Sequence, residues 1–393
     1  MYTQAEYDKR VDQVTDWLKG ASEGNWIARA HLKEAISTSD FPSIFTDIKN
    51  AQLQAAYADT RANYQGVWTK VARRLTVPNF LPQSFYEYGL DSDYGVGNLL
   101  SSNGGKKTIP GTLPNVPEGT EYPTGAFKMY QSQEAMEISK NGARIPFTFE
   151  AIINDQWNLV DTLPQYLLKV ALDSEDAEVT RLLTDGDGPS DRFVTPANPY
   201  NNNLLHYGTN TDGTAALTRD TLKAALYQAN NFRVGENGNL PVRFQKFAVV
   251  IPPALEQLAN DIMAAPTQFI VNDGNLQYTD TFTFGNNFEF VIDPWLEVID
   301  LTHGQTAWYV VPAGGEGQRT GLALGFLQGY DRPELRIHND QGLLLGGGAV
   351  PARAGSFLND TWELRIRHIY GGAALSGGVG QVVSSGTAAP VTA

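Results

Sequence analysis

Apolar positions recur at helical spacing near the N-terminus, alternate in the middle of the chain, and then gather into short runs separated by helical segments. Residues 5–17 and 27–36 are predicted to form short helices. Ser37-Thr38-Ser39-Asp40 then offers capping side chains before Phe41-Pro42 and a longer helix from Ile44 to about Tyr64, with Phe45, Ile48 and Ala55 or Ala56 on one face. The Pro-punctuated segment Val77-Pro78-Asn79-Phe80-Leu81-Pro82 is predicted to break that helix. From Gly95 to Gly125 the chain carries Gly97, Gly104, Gly105, Gly111 and Gly119 beside Pro110, Pro114, Pro117 and Pro123, with few large apolar residues. Such a segment cannot build its own core. It far exceeds the usual connection of about 4–6 residues, so it is either disordered or an arm lying on another subunit.

Residues 127–153 are predicted to form two strands. Ala135, Met136 and Ile138 lead to Asn141-Gly142, a dipeptide suited to a tight hairpin turn, and Ile145, Phe147 and Phe149 alternate beyond it. The strongest helical signal follows, at about 162–184. Asp161 and Thr162 can cap it, Pro164 suits its first turn, Gly186 ends it, and Leu163, Leu167, Val170, Ser174, Ala177 and Leu182 trace one stripe. At 1.5 Å per residue such a helix is roughly 33 Å long, a spine for a domain. A second layer is expected from a helix at 218–232, a strand at 247–251, a helix at 254–264 and strands at 288–292, 306–311 and 321–326. Residues 362–370 alternate apolar with charged, which predicts a strand with one buried face.

Composition narrows the classes. The 393 residues include 29 basic and 43 acidic side chains, a net charge of −14, and no cysteine, so disulfides, thiolate metal sites and cysteine nucleophiles are excluded. With 42% hydrophobic and 18% charged residues the chain is globular in composition, and no apolar run approaches the roughly 18 residues of a membrane helix. The first twenty residues lack an apolar signal region, so cytoplasmic synthesis and folding are expected. Residues 1–75 hold ten basic and nine acidic side chains, which leaves −15 on residues 76–393. That balance disfavours nucleic-acid binding as the main activity. Residues 371–393 carry no charge at all, and such a tail is expected to be disordered in a free monomer and held by neighbouring chains.

Candidate chemistry is sparse. His31, His206, His303, His338 and His368 show no i, i+3 or i, i+4 spacing. The stretch from Asp185 to Asp191 superficially resembles a calcium loop, but Pro189 stands where an oxygen ligand is needed and a helix-ending turn is the better reading. Gly314 to Thr320 lacks the Gly-Lys-Ser/Thr ending of a phosphate loop and places Glu316 where it would repel phosphate, so a surface loop is expected. There is no Gly-x-Ser-x-Gly elbow, and carboxylate pairs such as Asp91/Asp93 and Glu134/Glu137 are common on solvated strands. No catalytic residue, metal or cofactor is assigned, and the chain is not expected to be an enzyme.

The order of elements resembles that of tailed-bacteriophage major capsid (major head) proteins with the Hong Kong 97 fold, closest in pattern to Mu-type head subunits. The stretch from Ile138 to Asp155 (ISKNGARIPFTFEAIIND) looks like the family's strand pair ending in Asn-Asp before the spine helix. Ser37 to Pro42 resembles its entry into the N-terminal arm, and Arg332-Pro333-Glu334-Leu335, Phe357 and Arg365 to Gly371 resemble its C-terminal return. The resemblance covers roughly residues 37–371 and implies an α+β fold. Its parts would be an N-terminal helical arm (1–75), a peripheral (P) domain (76–94, 132–217 and 331–371) with the spine helix, an extended E-loop hairpin (95–131) and an axial (A) domain (218–330), followed by the uncharged tail (372–393).

By the same resemblance the chain assembles as pentamers and hexamers into an icosahedral head around double-stranded DNA. Portal, scaffold and cement proteins are its further partners, the virion its location and the host cytoplasm its place of assembly. DNA would be enclosed without sequence-specific binding, and the acidic body would help keep it off the inner wall. Lys106, Lys107, Glu118, Glu121 and Lys128 are the implied inter-subunit residues of the E-loop. Some family members crosslink a loop lysine to a neighbour's asparagine, for which Asn339 and Asn359 are the counterparts here, with ordinary surface lysines as the simpler reading. Two alternatives stand beside this one. Encapsulin-like cellular shells share the fold. A secreted glycan-binding or glycan-active protein would instead use the seven Trp and 17 Tyr to line a groove.

Overall fold

The computed structural model describes residues 4–22, 27–28, 31, 41–63, 66–90, 118–119, 127–148, 159–187, 189–190, 203–208, 213–234, 240–241, 244, 246–264, 267–272, 275–281, 288–313, 322–338, 361–374 and 380–386. In chain order the helices are α1 (Gln4–Ser22), α2 (Phe41–Asn63), α3 (Val67–Val71), α4 (Leu159–Leu183), α5 (Arg219–Asn230), α6 (Glu256–Ala264) and α7 (Trp295–Ile299). The strands are β1 (Ala72–Val77), β2 (Gln83–Leu90), β3 (Phe127–Met136), β4 (Ser139–Thr148), β5 (Arg233–Val234), β6 (Leu240–Pro241), β7 (Phe247–Ile251), β8 (Thr267–Asn272) and β9 (Asn275–Thr281), then β10 (Phe288–Ile292), β11 (Trp308–Pro312), β12 (Leu322–Leu327), β13 (Glu334–His338), β14 (Thr361–Ala374) and β15 (Val382–Ser384). The α+β expectation holds. The chain divides into two compact units, the first of Met1–Tyr64, Ser139–Ser174 and Phe326–Tyr370, the second of Gln65–Ile138, Glu175–Gly325 and Gly371–Ala393.

In the first unit β14 is the central strand of an antiparallel set, with β13 on one side and β4 on the other. Strand alternation sends Leu364 and Ile366 of β14, Leu335 of β13 and Ile145 of β4 to one face. There they pack on Leu163, Leu167, Leu168 and Leu172 of α4 and on Leu53 and Tyr57 of α2. Of the stripe read from the sequence, Leu163 and Leu167 join this core, but Val170 is exposed and Leu168 and Leu172 are buried in its stead, so the buried face of α4 is turned from the expected one. Each fully buried side chain stabilises the unit by roughly 1.5–3 kcal/mol. Asn50 Oδ1 of α2 accepts the Leu335 amide at 3.0 Å, so the helix side chain satisfies a backbone donor of β13. His368 is buried among the rings of Tyr57, Phe326 and Tyr370.

In the second unit a four-stranded sheet has the order β10-β7-β11-β15, with β10 parallel to β7 and both remaining pairs antiparallel. All five residues of β7 and all five of β11 are buried, as befits strands covered on both faces. One face meets Leu222, Ala225 and Ala229 of α5 and Ala259 and Ile262 of α6, around Trp308, whose indole N–H donates to the Ala215 carbonyl. Helix α5 starts at a reciprocal cap, in which Thr218 and Thr221 exchange side-chain and backbone bonds. Among the described residues strands β2 and β3 pair only with each other, antiparallel from Gln83 opposite Met136 to Leu90 opposite Phe127, with a bulge between Ser84 and Tyr86. Strands β8 and β9 make another two-stranded pair.

Three further sequence expectations need correction. Asn141-Gly142 is not a hairpin turn: β4 runs through it, with Asn141 opposite His368 and Gly142 opposite Arg367. Glycine stands there because the neighbouring strand comes so close that a Cβ would collide with the Ile366 carbonyl oxygen. The segment from Val77 to Pro82 does not end the N-terminal helix, which stops at Asn63; it joins β1 to β2. The described residues 380–386 of the C-terminal tail do not await a neighbouring chain, since β15 pairs with β11 and Val382 and Val383 are buried. The capping run 37–40 lies outside the described residues, as do most of the predicted helix 27–36, the Gly/Pro-rich segment apart from Glu118 and Gly119, and the loop 314–320.

Candidate functional site

Of the five inter-subunit residues expected from sequence, Glu118 is exposed in a turn beside Gly119, and Lys128 stands in β3 opposite Gly89 of β2. Lys106, Lys107 and Glu121 lie outside the described residues, as do Asn339 and Asn359. The element that carries these positions is nevertheless defined at its root. Strand β3 ends at Met136, which is fully buried, and Ile138 just beyond it is also buried. The eight residues of β2 and ten of β3 form a ribbon roughly 26 Å long at about 3.3 Å per residue. A two-stranded ribbon is marginal in water unless something packs on it.

The second unit also holds a group of buried carboxylates beneath the C-terminal half of α4. Asp293 and Asp300 are fully buried and Asp176 nearly so. Asp293 accepts the Thr180 hydroxyl at 2.6 Å and the Trp295 amide at 2.9 Å. Asp300 accepts the amides of Thr302 and His303 at 3.1 and 2.8 Å and the Thr184 hydroxyl at 3.3 Å. Asp176 accepts the Trp68 amide at 3.0 Å. Burial pushes the Asp293 carboxyl up to about 7, against the bonds from Thr180 and Trp295 and with the help of the Asp176 charge. Burial likewise raises the Tyr309 hydroxyl, with Asp300 adding to the effect. Every oxygen of Asp293 and Asp300 is engaged by a hydroxyl or an amide, so these side chains fasten α7 and the loop after it to α4.

The turn after α4 behaves as its sequence indicates. Gly186 takes φ +94°, the Ser190 amide donates to the Leu183 carbonyl, and Gly186 O accepts the Leu301 amide. Among the described residues no three His, Asp or Glu side chains are arranged to hold a metal. Charged groups nearer the surface pair instead. Glu289 bridges Lys70 and Lys246 at 2.7 and 3.1 Å, and the Lys70 hydrogen bond holds its carboxyl below the usual range despite partial burial. In the first unit burial pushes Glu334 upward, but hydrogen bonds from Arg336 and Arg367 outweigh it and leave the carboxyl low. Trp68, Trp308, Tyr57 and Tyr309 are buried, which places them in cores and not along a glycan groove.

A spine helix, a two-stranded ribbon rooted in a core, and acidic side chains used as fasteners describe a building element. Comparison with known proteins decides what it builds. The sequence model described as phage capsid protein matches residues 132–379, more than half of the chain. The chain belongs to the phage capsid protein family. It is thus a structural protein of the bacteriophage virion, a capsid subunit that works in many copies. The match spans β4, α4, β14 and the strands β7, β10 and β11 of the second unit's sheet; of the stretches that carry the resemblance to capsid proteins of the Hong Kong 97 type it holds 138–155, 332–335, Phe357 and 365–371, and not 37–42.

No curated protein matches the sequence. Among solved structures, one from Microbacterium phage Oxtober96 is 11% identical with a TM-score of 0.43, covering 81% of this chain and 90% of that one. The capsid of a native GTA particle is 12% identical with a TM-score of 0.41, covering 84% and 91%. A virus-like particle from Pyrococcus furiosus is 12% identical with a TM-score of 0.40, covering 85% and 98%. None of these three matches bears on closeness to Mu-type subunits.

Two features of this capsid subunit escaped sequence reading. The β8–β9 hairpin was signalled by Asp273-Gly274 between Phe269-Ile270-Val271 and Leu276-Gln277-Tyr278, a two-residue turn dipeptide flanked by strand formers. Strand β15 had only Val382-Val383 in a tail otherwise read as unstructured, too short a run for periodicity to register.

Proposed function

We propose that this chain is the major capsid subunit of a tailed phage, forming pentamers and hexamers of an icosahedral head around double-stranded DNA. The observation that carries the reading is the β2–β3 ribbon. It pairs with no other described strand, is rooted at a buried residue, and flanks the Gly/Pro-rich stretch 95–125 that cannot build a core of its own. Such an arm gains its stability on a neighbouring subunit, and a head-to-tail contact repeated about an axis closes into a ring.

On this reading residues 95–131 are the E-loop with β2 and β3 as its stem. Residues 218–330 are the axial domain, its sheet completed by β15 of the tail. Residues 76–94, 132–217 and 331–371 form the peripheral domain, and 1–75 the N-terminal arm. Lys106, Lys107, Glu118, Glu121 and Lys128 then lie on the arm and meet the adjacent subunit. The role is structural and not enzymatic. Portal, scaffold and cement proteins complete the head, and assembly takes place in the host cytoplasm. Electron microscopy of the purified full chain, alone and with its scaffold, tests this: closed shells or capsomers are expected, with nuclease-protected DNA in heads recovered from infected cells. A monomer under all these conditions contradicts it.

A further inference from the structure

The sheet of the first unit has a second face, opposite its leucine-packed one, and that face is basic in a chain whose residues 76–393 carry a net of −15. Register places Arg336 of β13, Arg365 of β14 and Arg144 of β4 side by side across three adjacent strands, and Arg367 stands two residues along β14 on the same face. Glu334 and Glu363 are its counter-charges. Glu334 is taken by Arg336 and Arg367, and Glu363 lies 3.4 Å from Arg144. Arg365, in the middle of the row, is exposed and has no ion-pair or hydrogen-bond partner among the described residues. Like charges directly opposite one another weaken a strand pair, so a central arginine between two others does nothing for the sheet that holds it.

We propose that Arg365, flanked by Arg336 and Arg144, is a seat for a carboxylate-bearing segment of a second copy of this chain. The proposal rests on the capsid-shell reading above, which surrounds each subunit with copies of itself. Every such copy brings an excess of carboxylates, and the planar guanidinium fork binds a carboxylate in a bidentate manner. Three guanidiniums on adjacent strands span about 10 Å, a width suited to one or two carboxylates. Glu334 and Glu363 within the patch would repel a run of phosphodiesters, which favours a protein partner over DNA. The contact is electrostatic, so it strengthens at low salt and weakens as salt screens it.

The test uses the full chain and its Arg365→Glu and Arg365→Gln variants. It measures the assembled fraction by sedimentation at low and high salt, thermal unfolding of the unassembled subunit, and retention of a DNA duplex. Arg365→Glu relieves repulsion in the row, so its subunit is expected to unfold at the same or a higher temperature than wild type. Its assembled fraction at low salt is expected to fall by about tenfold or more, with Arg365→Gln between the two and DNA retention unchanged. Unaltered assembly of Arg365→Glu overturns the proposal while leaving the shell reading intact. A destabilised subunit also overturns it, because the residue then serves the fold, and so does loss of DNA retention with assembly preserved, because the face then belongs to nucleic acid. A wild-type chain that never assembles removes the shell reading and this seat together.

Discussion

Thr180 has one hydroxyl hydrogen and two acceptors within reach, the Asp176 carbonyl at 3.1 Å and the Asp293 carboxylate at 2.6 Å. A protonated Asp293 resolves the conflict by donating to Thr180 Oγ, which frees the hydroxyl to donate to Asp176. This agrees with a folded-state value of about 7 against an ordinary 3.8. Because the folded value is raised, the stabilisation is fully present below the unfolded value. It is lost as pH rises through about 7. Asp293→Asn keeps an acceptor for Trp295 and supplies a permanent donor for Thr180. The variant is expected to gain on wild type between pH 5 and pH 8, by on the order of 3 kcal/mol at most, and to lose most of the pH dependence in that window. Urea denaturation across pH checks this, and parallel slopes for the two proteins would contradict it. At this scale the sequence was least informative. Nothing in Asp176, Thr180, Thr184, Asp293 and Asp300 announces that they share a site, because the pairs are separated by more than a hundred residues.

Elements with a strong period were legible. The strands at Phe247–Ile251 and Phe288–Ile292 stand where apolar spacing puts them, and so does the span of α4, although its buried face is turned from the expected stripe, with Val170 exposed and Leu168 and Leu172 inside. Asn141-Gly142 misled because the same glycine that suits a turn also permits close strand approach, and only the partner strand β14 distinguishes the two uses. Residues 371–393 misled because lack of charge and abundance of glycine also mark segments that do not pack. The two valines of β15 are nonetheless enough to complete a sheet whose other strands are already apolar. Truncation after residue 379 therefore removes an inner part of the second unit. It is expected to cost several kcal/mol, at roughly 1.5–3 kcal/mol per buried valine plus the lost strand pairing. Thermal unfolding and limited proteolysis of the unassembled subunit measure it. A truncated chain as stable as wild type would mean that the tail contributes only between subunits.

At the scale of the whole molecule, the absence of cysteine and the net charge of −14 acquire a role once the chain is placed in the phage capsid protein family. No disulfide can lock neighbouring subunits, so a shell of this chain is held by packing, by charge pairs or by an isopeptide bond. Acidity is unevenly distributed. It is concentrated in the body, nearly balanced in the N-terminal 75 residues, and reversed on the β13–β14–β4 face, which gives copies of the same chain something to attract. The family and the α+β architecture were legible from the order of elements, whereas the assembly contacts are not written in any one chain's periodicity. Their clearest trace is a ribbon that pairs with no other described strand. The decisive measurement is sedimentation velocity of the wild-type chain beside a variant lacking residues 104–119, with circular dichroism of both. The account expects wild type to sediment as large particles and the deletion to remain a folded subunit that forms no stable shell. Equal assembly of the deletion variant would contradict it.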